Sequence, residues 1–182
     1  MDTYETLKER RSIRRYKDKE VPKAVLKKCI NAARLSPSAA NLQPLRFITI
    51  RRDLSDIFEC TAWAGYLDWE PTEEEMPRAY IAILKEKETG WEMDAGIAAQ
   101  SICLTAKNEG LGSCILGAID KEGLKDLLSI PEGFELKLLV GMGYPDEKSE
   151  VIEDSEDVEY YYEDDVLKVP KKPLDEVWIE HG

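Results

Sequence analysis

Apolar residues in this chain recur at helical spacing in some stretches and cluster in short runs in others, and their order sketches a layered fold. Residues 2–11 read as a charged helix that ends at Arg10 and Arg11. Pro22 suits a first helical position, and after it Leu26, Cys29, Ile30 and Ala33 predict an amphipathic helix to about Leu35. SPSAANLQP, residues 36–44, is a small-residue loop stopped by Pro44. Phe47 to Ile50 suit a strand, and residues 54–63 a short helix that leads into a loop through GYLDWEP. Ala79 to Leu84 reads as a buried strand. From Met93 to Glu109 the small and apolar residues are too many for one narrow stripe. That predicts a helix covered on most sides, at the centre of a domain or of a dimer. Gly110 and Gly112 supply a glycine stop. SCILGAI then reads as extended chain, residues 121–128 as a short helix, and FELKLLVGMGYP as a strand.

After Pro145 the pattern changes. Nine acidic side chains fall within residues 150–165, and the chain closes on KVPKKPLDEVW. A segment this polar does not form a core alone, so it is expected to lie on an existing surface, that of a partner subunit included. Helices and strands mix without a regular βαβ alternation, which favours an α+β layered domain. The 182 residues are enough for one domain to bury its own core. No apolar run approaches the roughly 18 residues of a membrane span, and MDTYETLKERR lacks the apolar stretch of a secretory signal. The expected location is cytoplasmic, with no membrane partner. A net charge of −12 repels nucleic-acid phosphates, so no nucleic-acid partner is expected.

Candidate chemistry narrows by what is scarce. Cys29, Cys60, Cys103 and Cys114 are spread without a CxxC pair, and the one histidine is His181. Metal sites and histidine-based triads lack parts, which moves any redox chemistry onto an organic cofactor. RRSIRRYK sets Arg10, Arg11, Arg14, Arg15 and Lys17 in eight residues around Ser12. Guanidinium forks beside a hydroxyl suit a terminal phosphate, and a solvated basic turn fits the segment equally well. Tyr16 reads as a packing residue. In SPSAANLQP, Asn41 and Gln43 offer donors and acceptors to a heteroaromatic edge, or the segment is an ordinary connection. GLGSCILGAID has glycines for close main-chain approach but neither a GxGxxG fingerprint nor a GK[ST]. Cys114, among apolar neighbours, reads as a structural thiol. The lysines of KVPKKP are a second phosphate claw or solvated tail charges.

Taken in order, RRSIRRY, SPSAANLQP, GLGSCILGAID, GYP and VPKKPLDEV resemble the nitroreductase family over nearly the whole chain. The resemblance implies an α+β, three-layer fold with a mixed, mostly antiparallel central sheet flanked by helices. It implies a single FMN-binding domain over residues 1–182, with residues 150–182 as a C-terminal extension onto the partner subunit of a homodimer. Arg10 and Arg11 would face the FMN phosphate beside Ser12, and Arg14 the pyrimidine edge of the ring. Ser38, Ala39, Asn41 and Gln43 would reach the flavin from the partner chain. Leu116 and Gly117 would turn main-chain N–H groups toward flavin N5. Lys171 and Lys172 fall where the family often has a phosphate-binding arginine. Leu45 stands where many relatives have Trp, and Tyr66, Leu67 and Trp69 are lid candidates. The implied activity passes hydride from NADH or NADPH through FMN to a small-molecule acceptor by a ping-pong route. A ferredoxin-linked relative, an enzyme of the same fold with specialised flavin chemistry such as dehalogenation, and a non-catalytic flavin-binding module are the competing readings.

Overall fold

A computed structural model describes residues 2–63, 65–154 and 156–181. Its elements are α1 (Thr3–Glu9), α2 (Lys23–Arg34), β1 (Leu45–Ile50), α3 (Leu54–Glu59), β2 (Ala79–Glu86), α4 (Glu92–Asn108), β3 (Gly112–Leu116), α5 (Lys121–Leu127) and β4 (Phe134–Gly143). After these come β5 (Lys148–Glu153), β6 (Tyr161–Glu163), β7 (Val166–Lys171) and α6 (Leu174–Val177). The Asp2 carboxylate caps α1 by accepting from the Glu5 N–H at 2.9 Å. Pro22 is the N-cap of α2, one residue earlier than the first-turn place expected of it. α3 ends at Glu59 instead of 63, and Thr61 then bridges to Ile119.

The central sheet has the order β1-β2-β4-β3, and its three ladders are all antiparallel. Its parallel component is a single bridge, Ser12 to Ser113, on the outer edge of β3. β2 is buried along nearly its full length because both faces are covered. Ile81 and Ile83 meet Ala98, Ala99, Ile102 and Cys103 of α4 on one side. Tyr80, Ala82 and Leu84 meet Ile57, Trp63 and Leu124 on the other. The sheet thus lies between α2 with α4 and α3 with α5, the three layers expected. Gly110, at φ +79°, takes the left-handed conformation that ends α4, and Leu111 N–H returns to Ala106 C=O at 2.9 Å.

The tail, expected to lie on an existing surface, is built as strands. β5 pairs in parallel with β7, and β6 pairs antiparallel with it, forming a second sheet of order β5-β7-β6. Asp164 and Asp165 both have positive φ, as a two-residue hairpin turn requires, and aspartate tolerates that conformation. Leu167 is fully buried and anchors the sheet to the body. Polar strands of this kind are held by register and by a few anchors, and an apolar periodicity does not reveal them.

Within one chain α4 is covered on one face and open on the other. Its Ala98, Ile102 and Ala106 line is fully buried, whereas Met93 (51%) and Ile97 (41%) are open to solvent, with Trp91 (58%) just before them. No described helix is long and apolar enough to cross a membrane.

Candidate functional site

The arginine turn is fixed by the edge of β3. Ile13 N–H donates to Ser113 C=O at 3.0 Å, and the Ile13 side chain is buried over Gly112. A β-carbon at Gly112 would lie 2.7–2.9 Å from three Ile13 atoms, so only glycine lets the turn approach this closely. Tyr16 behaves as the packing residue it was expected to be. It is buried, and its O–H donates to Ile13 C=O beneath the turn. Beside the turn lies a cavity of about 330 Å³, lined by Arg10, Arg11, Gly112, Ser113, Lys148 and Ser149 among others.

That cavity is short of anions. Its two carboxylates are occupied: Glu9 pairs with Lys107 at 3.2 Å, and Glu147 accepts from the Arg14 and Arg15 N–H groups and from the Tyr162 O–H. Arg10, Arg11, Arg14 and Lys148 form no ion pair among the described residues, although the chain is strongly acidic. Burial, and then the neighbouring Arg10, pulls the Arg11 guanidinium below its ordinary pKa. Arg10 Nε and Ser149 Oγ are both buried and have no hydrogen-bond partner among the described residues. Unpaired buried donors around unneutralised cations match what a phosphate supplies, namely two negative charges and several acceptor oxygens. A phosphate ester fits this donor set. Ser149 carries no sequence signal, being one serine in a polar stretch, and it enters the site only because β5 runs beside β7.

The SPSAANLQP loop sits elsewhere. Ala39 N–H donates to the Asp94 carboxylate at 3.1 Å, and the second oxygen of Asp94 accepts from Trp91 N–H at 3.0 Å. This buried acid therefore ties the loop to the first turn of α4. Ser38 Oγ accepts from Gln43 N–H at 3.0 Å, so Ser38 staples the loop to itself. Ala40, Asn41 and Gln43 all have φ near +50°. Left-handed backbone at three non-glycine residues is costly and concentrates at binding sites. Asn41 and Gln43 are exposed.

The two groups lie at opposite ends of α4: the arginine turn at its C-terminal end, the loop at its N-terminal end. Along the helix axis Asp94, which holds the loop, and Lys107, which pairs with Glu9 just before the turn, are thirteen residues or about 20 Å apart.

Of the remaining expected residues, Leu116 and Gly117 lie at the end of β3, the edge strand. Ser113 faces the outer edge, so alternation turns the main chain of Leu116 toward its partner Leu139 in β4, whereas Gly117 follows the strand, exposed. The same alternation turns the main chain of Gly117 outward, away from β4. Lys171 lies opposite Glu153 at the far end of the β5–β7 ladder, five residues from the rung beside Lys148. Neither Lys171 nor Lys172 lines the cavity, where Lys148 and Lys107 stand instead. The register of the second sheet carries the late lysines past it. In the lid stretch, Trp69 packs against Arg15 and Tyr162, while Tyr66 meets Tyr160. Cys114 is buried, and burial pushes its thiol up to about 11, so it is not a nucleophile at neutral pH.

The nitroreductase family model matches residues 7–79 and 79–144. A Methanothermobacter thermautotrophicus protein named "Putative NADH dehydrogenase/NAD(P)H nitroreductase" is 36% identical over 157 residues, covering 81% of this chain and 79% of its own. FMN reductase (NAD(P)H) of Bacillus subtilis is 30% identical over 169 residues, covering 81% of this chain and 68% of its own. Among solved structures, an FMN-dependent nitroreductase from Clostridium difficile R20291 superimposes with a TM-score of 0.68 at 32% identity, over 80% of this chain and 88% of that one. With its arginine turn, its strained loop and its three layers all inside the matched residues, this chain belongs to the nitroreductase family.

Proposed function

We propose that two copies of this chain bind FMN in shared sites and act as an NAD(P)H oxidoreductase on a conjugated acceptor such as a nitroaromatic or a quinone. The observation that carries the reading is the cavity beside the arginine turn, with unpaired cations and two orphaned buried polar atoms in an acidic protein. The relatives' names, FMN reductase and NAD(P)H nitroreductase, support the same choice of cofactor and donor. When bound, FMN supplies the hydride chemistry at its N5 atom.

The chain's own part is binding and charge. Arg10, Arg11, Ser12 and Ser149 hold the phosphate, and Lys148 adds a point charge. Arg14 stands at the pyrimidine edge, where a cation favours the reduced cofactor. Gly117 offers a main-chain donor toward the ring. Ser38, Ala39, Asn41 and Gln43 belong to the same site through a second chain, because within one chain they sit at the opposite end of α4 from the arginine turn. A two-fold axis that sets two α4 helices antiparallel brings each loop to the other chain's arginine turn. It also covers Trp91, Met93 and Ile97 at one end of the helix with a face that carries exposed Tyr4 and Leu7 at the other. Lys171 and Lys172 remain candidates for a phosphate only through such a second chain, whose surface α6 and the exposed Trp178 and Ile179 are suited to meet.

The test is direct. The purified protein is expected to be yellow, to release FMN on denaturation, and to sediment as a dimer. Anaerobic NADH or NADPH is expected to bleach it, and a quinone to restore the colour. A colourless monomer that takes up no added FMN refutes the proposal. A coloured dimer that neither donor bleaches refutes its catalytic part.

A further inference from the structure

Residues after 144, beyond the family match, are built against the main chain of Arg14 and Arg15. One Glu147 oxygen accepts from the Arg14 N–H and, at 3.3 Å, from the Arg15 N–H. The other accepts from Tyr162 O–H at 2.7 Å. The two arginines then diverge. Arg15 is paired: its guanidinium lies 4.2 Å from the Trp69 ring centre and 5.2 Å from that of Tyr162, and its charge is met by Glu75 at 3.3 Å. It clamps the lid stretch to β6. Arg14 is held differently. Its guanidinium lies 4.7 Å from the Tyr160 ring centre, and Tyr66 meets that ring edge-on at 5.1 Å and 73°. The Arg14 side chain makes no hydrogen bond or ion pair among the described residues.

A guanidinium carries its five donors in its own plane. A ring stacked on its face restricts its orientation and uses none of those donors. Arg14 is therefore oriented by a contact that leaves its whole fork free. An ion pair in the same place would have consumed the fork and neutralised the charge.

We propose that Tyr160, with Glu147 and Tyr162 behind it, positions the Arg14 guanidinium as a pre-oriented donor toward the pyrimidine edge of the cofactor. The C-terminal sheet thus tunes the redox site instead of only decorating the surface. This rests on the FMN reading above. Tyr160 is a positioning residue and need not touch the flavin.

The experiment measures the midpoint potential of the FMN-loaded, full-length protein against a reference dye. Tyr160→Leu removes the ring. It is expected to reduce the preference for reduced over oxidised FMN by three- to tenfold, about 14–30 mV downward for a two-electron couple. Tyr160→Phe keeps the ring and should keep the potential. Tyr162→Phe keeps the stack on Arg15 but removes the O–H that braces Glu147, and it should shift the potential in the same downward direction. If Tyr160→Leu does not fold, Tyr162→Phe decides. A potential unchanged in Tyr160→Leu with FMN retained, or a Tyr160→Phe that shifts as far as Tyr160→Leu, overturns the proposal. Unaltered protein that takes up no FMN overturns the cofactor reading beneath it, a failure seen before any variant is made.

Discussion

Gly112→Ala tests whether the arginine turn depends on its seat against β3. The added β-carbon would stand 2.7–2.9 Å from Ile13 Cβ, Cγ1 and Cγ2, where ordinary contacts begin at 3.4 Å, so the turn must lift by about 0.5–0.7 Å. The Ile13 N–H to Ser113 C=O bond, 3.0 Å long, would stretch past the hydrogen-bond limit, and the Ser12–Ser113 bridge would open with it. Overpacking of this kind costs about 1–3 kcal/mol. For a chain of this size that lowers Tm by about 2–12 °C. Arg10, Arg11, Ser12 and Arg14 share the displaced segment, so FMN affinity should fall at least about tenfold, or 1.4 kcal/mol. Truncating Ile13 to alanine gives little relief, because Ile13 Cβ is itself one of the colliding atoms. Gly133→Ala is the control, since a β-carbon there meets nothing within 4 Å. The assays are thermal melts with and without FMN, and titration of flavin fluorescence quenching. A Gly112→Ala protein that melts and binds FMN like the unaltered chain refutes the reasoning.

Four further outcomes are expected. Arg10→Ala with Arg11→Ala should weaken FMN binding by about 1.5–3 kcal/mol for each charge-assisted bond lost, and unchanged affinity by equilibrium titration would reject the phosphate assignment. Cys114→Ser should leave turnover largely intact, and loss of activity with flavin still bound would show the thiol to be more than structural. Burial raises the Cys29 thiol to about 12 and that of Cys114 to about 11, so the unfolded chain loses these protons first as pH rises. The urea midpoint should therefore hold below about pH 9, the region of an ordinary thiol, and decline toward pH 11–12; a flat profile from pH 8 to 10.5 contradicts it. Ile97→Asp places a charge on the open face of α4 and should yield a monomer by sedimentation that has lost most FMN affinity, whereas a dimer with full affinity would move the interface elsewhere.

Local pattern revealed the layers but not the tail. The unbroken apolar run at Ala79–Leu84 announced a strand covered on both faces, and the alanines of 95–106 announced the helix that covers it. Cys114 was legible because the chain that follows it, Ile115 and Leu116, is apolar. The second sheet was hidden because its strands are short and polar, and its stability comes from Leu167 and from tyrosines meeting arginines about 145 residues earlier in the chain. Ser149 and Glu147 were illegible for the same reason, since their roles exist only after β5 has paired. The strain at Ala40 left no mark either, because no glycine flags that left-handed turn. Lys171 and Lys172 were recognised by motif, and a motif does not report the register that carries them along β7.

The separation of the arginine turn and the loop by the length of α4 has a genetic consequence. In the two-chain site proposed above, a chain crippled at Arg10 and Arg11 and another crippled at Asn41 and Gln43 would each be inactive when alone. Co-expressed, they would form mixed pairs in which both lesions fall into one pocket and the other pocket is assembled wholly from sound parts. Two dead alleles would then rescue each other, as no pair of lesions in a self-contained subunit does.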